Sequence, residues 1–206
     1  MAAIIFDMDG TIADSFDYVS DFLARQKGLA PLGAEQKQAL RGLSMMGMAR
    51  QLGYHWWNGP ILFFKGRHQM KAAINKLDSF KGLPEIIKKL HAEGHELFVL
   101  SNNSLRNVSH FLHHQKIHQY FLEIYGGVGF FGKAPALRQL IKDHNLDIKQ
   151  AVYIGDESRD IEAAQSIGLR CIAVTWGFAE PAGLKALKPT AIADTPAELM
   201  RILEEL

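Results

Sequence analysis

Short apolar runs recur along this chain, and stretches with helical spacing of apolar residues lie between most of them. The runs are Ala3–Phe6, His95–Leu100, Ala151–Ile154, Arg170–Val174 and, more weakly, Thr190–Ile192. Each is too short for a buried helix, and several are β-branched, so they read as strands buried on both faces. Leu83–Glu93 sets Leu83, Ile86, Ile87 and Leu90 on one helical face, with Pro84 in its first turn. Asn103–His114, Lys133–His144 and Glu157–Ile167 repeat the pattern, the last stopped by Gly168, and Thr195 to Glu198 opens a final helix with a capping box. Strands alternating with helices predict an α/β fold: a doubly wound parallel-sheet, Rossmann-like core with helices on both faces.

The segment from Asp14 to Phe80 breaks this rhythm. It holds no convincing strand and reads as helices over Asp14–Lys27, Gly33–Arg41, Ser44–Gly53 and Pro60–Leu77, parted by Gly- and Pro-containing turns. The expected organisation is an α/β catalytic core from 1–14 and 81–206, with 15–80 inserted after the first strand as a small all-helical cap. Removing those 66 residues from 206 leaves 140, close to one ordinary domain.

Lys plus Arg number 23 against 22 Asp plus Glu, so no strongly basic nucleic-acid binder and no acidic tail is expected. Cys171, the one cysteine, permits neither an internal disulfide nor a cysteine zinc cluster, and reads as an inert small hydrophobe in a strand. A reducing compartment fits that count. The apolar run at the start is too short for a signal peptide, and no stretch approaches the ~18 apolar residues of a membrane span. A cytoplasmic protein without a membrane partner is expected.

Ligands of open α/β sheets bind beyond the carboxyl ends of the strands. Asp7, Asp9, Gly10 and Thr11 follow the first strand, and Ser101, Asn102 and Asn103 the second. Lys133 opens a helix, and Gly155, Asp156 and Asp160 follow another strand. Asp7 and Asp9, two apart, can leave an extended backbone on one side. Carboxylates converging on one spot repel each other, a conflict that a hard divalent cation removes. Mg²⁺ suits such a site because it favours one or two carboxylates together with water and phosphate oxygens. Asp7, Asp156, Asp160 and a phosphate dianion carry more negative charge than Mg²⁺ and Lys133 offset, so backbone N–H groups and Ser101 must address the remainder. Each residue type also has a plainer use. Asp caps turns, Ser before two Asn residues caps a helix, and Asp160 can support its own first turn. A lysine at a helix start runs against the macrodipole and hints at a nearby anion.

Phe6-Asp7-Met8-Asp9-Gly10-Thr11 resembles the first motif of the haloacid dehalogenase superfamily. Ser101 matches the second motif, Lys133 the third, and Gly155-Asp156-Glu157-Ser158-Arg159-Asp160 the fourth, in order over essentially the whole chain. The helical insert and Val174-Thr175-Trp176-Gly177-Phe178 are similar to the phosphoglycolate-phosphatase-like branch. The resemblance implies a phosphatase for a small phosphate monoester, with a phosphoglycolate-like acid as the leading substrate. Asp7 would be the nucleophile and Asp9 the acid and base. Ser101 and the Asn102 backbone would hold phosphoryl oxygens, and Lys133 would stabilise their charge. Asp7, the Asp9 carbonyl and Asp156 would hold Mg²⁺, with Asp160 supporting the metal or Lys133. Arg41 lies where relatives present a specificity loop, and could clamp a substrate carboxylate or second phosphate. The alternatives are a phosphomutase or a nucleotide or sugar phosphatase of the same superfamily and, from another class, a non-catalytic binding or regulatory protein on the same fold.

Three further features take plain readings. His110, His114 and His118 read as a solvated helix face rather than a metal site, since no acid or cysteine joins them. Trp56 and Trp57 read as core of the helical insert, and Met45, Met46 and Met48 as gap fillers.

Overall fold

A computed structural model describes residues 2–43, 45–128 and 132–205. Ser44, at the head of the third expected helix, lies outside the described residues. Strand β1 (Ala3–Phe6) is followed by helices α1 (Phe16–Gln26), α2 (Ala34–Leu40), α3 (Met45–Gln51) and α4 (Gly59–Ala73). Then come α5 (Leu83–Ala92), β2 (Glu96–Ser101), α6 (Leu105–His114), β3 (Glu123–Gly126) and α7 (Lys133–Asp143). The chain continues through β4 (Ala151–Gly155), α8 (Ser158–Gln165), β5 (Arg170–Val174), α9 (Pro181–Ala186), β6 (Ala191–Ala193) and α10 (Pro196–Glu204).

All strand pairs are parallel, in the order β3-β2-β1-β4-β5-β6. The chain builds outward from β1 to β3, then returns to the other side of β1 with β4. The crevice where this order reverses, beyond the carboxyl ends of β1 and β4, is the ligand position of such sheets. Side-chain alternation along β1 splits the core. Ile4 and Phe6 join the cluster under α5, α6 and α10, while Ala3 and Ile5 join the cluster under α7, α8 and α9. Ile4, Ile5 and Phe6 are fully buried, each stabilising the fold by about 1.5–3 kcal/mol.

Helices α1 to α4 leave the core at residues 12–14 and return at 78–80. The two connections are tied together, with Asp14 N donating to Asp78 O and Phe80 N to Ile12 O. Phe22, Leu40, Met48 and Leu62 extend the sheet's first apolar cluster into the insert. Gly42, between α2 and α3, pairs with Ala179 beyond β5.

Four details differ from the sequence reading. Strand β3 and helix α9 were not anticipated. Trp56 and Trp57 are 76% and 56% exposed rather than core, because they sit in a one-turn 3-10 helix ahead of α4, where His55 stacks on Trp57. Helix α6 is capped by Ser104, whose Oγ accepts from Asn107 N, and not by Ser101. No helix among the described residues is long and apolar enough to cross a membrane.

Candidate active site

Register brings the site residues to one edge. Phe6 pairs with Val99 on one side and Ile154 on the other, so the residues after β1 emerge between Ser101 and Asp156. The Asp7 amide extends the sheet by donating to Ile154 O at 2.8 Å. Lys133, in the first turn of α7, is 3% exposed and places Nζ 2.7 Å from Asp7 Oδ2 and 2.5 Å from Asp160 Oδ1. The anion implied by a cation at a helix start is therefore this pair of carboxylates.

Asp160 has two tasks. Its Oδ1 meets Lys133 and accepts from the Tyr153 hydroxyl at 3.3 Å, while Oδ2 accepts from the Glu157 amide and closes the first turn of α8. Asp156 is fully buried and anchored at both oxygens, by Thr11 Oγ1 at 3.0 Å and Phe178 N at 2.8 Å. Trp176 Nε1 donates to Thr11 O, so the segment after β5 locks the loop after β1 as well as Asp156. Ser101 Oγ, buried at the end of β2, accepts from Asn103 N. Asn102 Oδ1 is buried without a hydrogen-bond partner among the described residues.

The electrostatics follow from this burial. Burial is the main force that pushes Asp7 up to about 7, aided by Asp160 and opposed by Lys133. Burial, then Glu157, Asp160 and Asp7, hold Asp156 well above the usual carboxylate range. Asp9 is raised by burial against the pull of the Asn103 amide; the Ser15 hydroxyl also opposes it, short of hydrogen-bond geometry. Burial works against the charge of Lys133, but Asp160 and Asp7 outweigh it and hold the ammonium above the ordinary lysine range. Asp7, Asp156 and Asp160 each offer an oxygen within 4.8 Å of the others, a spacing that a metal ion can bridge. The Asp9 carboxylate stands outside this group.

A cavity of about 100 Å³ opens over Asp7 and Asp9. Ser101, Asn102, Arg67 and Arg159 line its polar side, and Tyr18, Phe22, Leu62, Met70 and Phe178 its apolar side. Arg41 is not among its lining residues; its guanidinium lies 4.5 Å over the Phe16 ring. The sequence gives no sign of Arg67, and it places Asn103 and Arg159 at this edge without a role. Arg159 stands within the fourth motif, paired with Glu157 at 2.6 Å, and its place at a helix start is the same signal that marked Lys133. Arg67 lies in the middle of α4, where only its position in space distinguishes it.

Comparison with known proteins gives matches over most of the chain. A family model described as haloacid dehalogenase-like hydrolase matches residues 4–174. A phosphoglycolate phosphatase of Synechococcus elongatus is 32% identical, the match covering 100% of this chain and 99% of that protein. Phosphoglycolate phosphatase 1 of Pseudomonas aeruginosa is 24% identical over 96% of this chain and 78% of its own. Among solved structures, a haloacid dehalogenase-like hydrolase of Streptococcus pneumoniae superposes with a TM-score of 0.80 at 25% identity, covering 98% of both chains.

Proposed function

Because the chain belongs to the haloacid dehalogenase-like hydrolase family, we propose that it is a phosphatase working through an aspartyl-phosphate, with phosphoglycolate as the leading substrate. The observation that carries this reading is the buried Asp7 carboxylate facing the cavity, with the Lys133 ammonium 2.7 Å away. Asp7 Oδ attacks phosphorus as the bond to the leaving oxygen breaks, and Asp9 delivers a proton to that oxygen. Asp9 then takes a proton from water as the water oxygen bonds to phosphorus and the Asp7 ester breaks. Ser101 Oγ, the Asn102 backbone and Lys133 hold the phosphoryl oxygens, and Asp160 keeps Lys133 in place.

The donors suit Mg²⁺: hard oxygens, buried, and short of positive charge. Asp7, Asp156 and the Asp9 carbonyl would hold it, with Asp160 beside them, and when bound it would neutralise part of the combined charge of phosphate and carboxylates. Residues 15–80 serve as a cap that excludes water from the cavity. A cavity of about 100 Å³, lined by Arg67 and Arg159, favours a small anionic substrate over a nucleotide. Arg41 touches Phe16, which packs on Phe178 of the cavity wall, so its influence on specificity runs through that wall.

Asp7→Asn tests the reading, with phosphate release measured in Mg²⁺ over a panel of carboxylate, sugar and nucleotide monophosphates. Turnover falls by about 10³-fold or more on every substrate while the fold is retained. Turnover at the wild-type rate would overturn the nucleophile assignment. Wild-type kcat/KM highest for 2-phosphoglycolate supports the substrate.

A further inference from the structure

Two buried asparagines connect the acid and base of the reaction to the insert. Asn103 and Asn107 are 6% and 3% exposed. Asn103 Nδ2 donates to Asp9 Oδ2 at 3.1 Å. Asn103 Oδ1 accepts twice, from Ser104 N and from Asn107 Nδ2, both at 2.9 Å. Both lone pairs are thus used, and a flipped amide would set its NH₂ group against two donors. Asn107 is fixed by the same logic. Its Nδ2 donates to Asn103 Oδ1 and to Arg67 O on α4, so a flip would aim its oxygen at two acceptors. Donation therefore runs outward from the Asn107 amide, to the α4 carbonyl on one side and through Asn103 to Asp9 on the other.

The helix does not need this amide. The cap of α6 is closed by the Asn107 backbone N–H, and asparagine is a poor residue for a helix. What the amide does reach is Asp9. With Oδ2 occupied by an N–H donor, Oδ1 is the oxygen left over, buried and without a hydrogen-bond partner among the described residues.

Resting on the assignment of Asp9 as acid and base, we propose that Asn107, acting through Asn103, is a positioning residue that holds the Asp9 carboxyl with Oδ2 bound and Oδ1 reserved for proton transfer. Oδ1–H then passes its proton to the leaving oxygen as the Asp7–phosphorus bond forms and the phosphorus–oxygen bond breaks. Oδ1 recovers a proton from the water that cleaves the aspartyl-phosphate.

Leaving-group dependence tests this, because kcat/KM reports only steps through departure of the leaving group. 2-Phosphoglycolate loses an alkoxide that needs a proton. Acetyl phosphate, also small, loses acetate, which does not. Asn107→Leu is expected to lower kcat/KM for 2-phosphoglycolate by about 10–100-fold and for acetyl phosphate by less than about 3-fold. An equal fall on both substrates, or a fall on neither, overturns the positioning role. Circular dichroism checks the fold, and Asn107→Ser carries the same comparison if the leucine variant does not fold. Asp9→Asn is measured alongside. If it shows the selective loss and the Asn107 variants do not, the asparagine relay alone fails. If it does not show it, the acid-base reading fails and the relay with it.

Discussion

At the scale of single residues, the site is built by letting backbone approach two buried carboxylates. A Cβ at Gly177 would stand 2.3 Å from Asp156 Oδ2, and one at Gly155 would stand 2.6 Å from the Asp160 side chain. Asp156 cannot retreat, because Thr11 and Phe178 hold both of its oxygens. Gly177→Ala should therefore destabilise the fold by about 1–3 kcal/mol in denaturant melts and remove most phosphatase activity. Gly183, in α9, has open space where its Cβ would go, and Gly183→Ala should raise stability by about 0.5–1 kcal/mol with activity unchanged. Equal effects at both positions would contradict a packing origin. The carboxylates and Lys133 were legible in the sequence because several acids and a lysine recur at one sheet edge, more than turn and helix capping call for. Asn107 was not, and Asn103 was visible at the edge but not in its role, because amides beside a helix start look like ordinary capping residues until their partners are seen. Cys171 is buried in β5, and burial pushes its thiol up, so it should resist alkylation at pH 8 in the native state and react on unfolding.

At the scale of elements, the long apolar strands and amphipathic helices followed from periodicity, while the sheet edge did not. Strand β3, Glu123–Gly126, has one exposed and three half-buried residues, so it lacks the continuous apolar run that betrayed β1, β4 and β5. Helix α9 has only six residues and too little length to show a period. Inside the insert, the helices were visible but their orientation was not. That orientation decides which arginine meets the cavity: α4 brings in Arg67, whereas the end of α2 leaves Arg41 on Phe16. Comparing 2-phosphoglycolate with ethyl phosphate isolates the carboxylate. Arg67→Ala should lower kcat/KM for 2-phosphoglycolate by about 10-fold or more while changing that for ethyl phosphate little. Arg41→Ala should shift this ratio less, because it acts through the wall at Phe16. A larger shift for Arg41→Ala would return the specificity role to the loop between α2 and α3.

At the scale of the whole molecule, a chain with a net charge of +1 concentrates like charge at one sheet edge. Asp7, Asp9, Asp156, Glu157 and Asp160 gather there against Lys133 and Arg159. The parallel sheet brings these residues together, since every β-to-α loop of the core leaves from the same edge. At the proposed Mg²⁺ site, relief of this repulsion would link metal binding to stability. A ligand that binds only the folded state adds RT ln(1 + [L]/Kd), about 2.7 kcal/mol at 100 times Kd. For a chain of this size that corresponds to roughly 5–10 °C in the unfolding midpoint. Adding Mg²⁺ at pH 7 should raise the midpoint by that order, and EDTA should reverse it. Asp156→Asn should abolish most of the increment, yet without metal it should be no less stable than the wild type, because one member of a repelling group has been neutralised. Sodium chloride at matched ionic strength should do little, since buried pairs are weakly screened. A midpoint that responds to sodium chloride as strongly as to Mg²⁺ would mean that general screening, rather than an ion held by Asp7 and Asp156, relieves the repulsion.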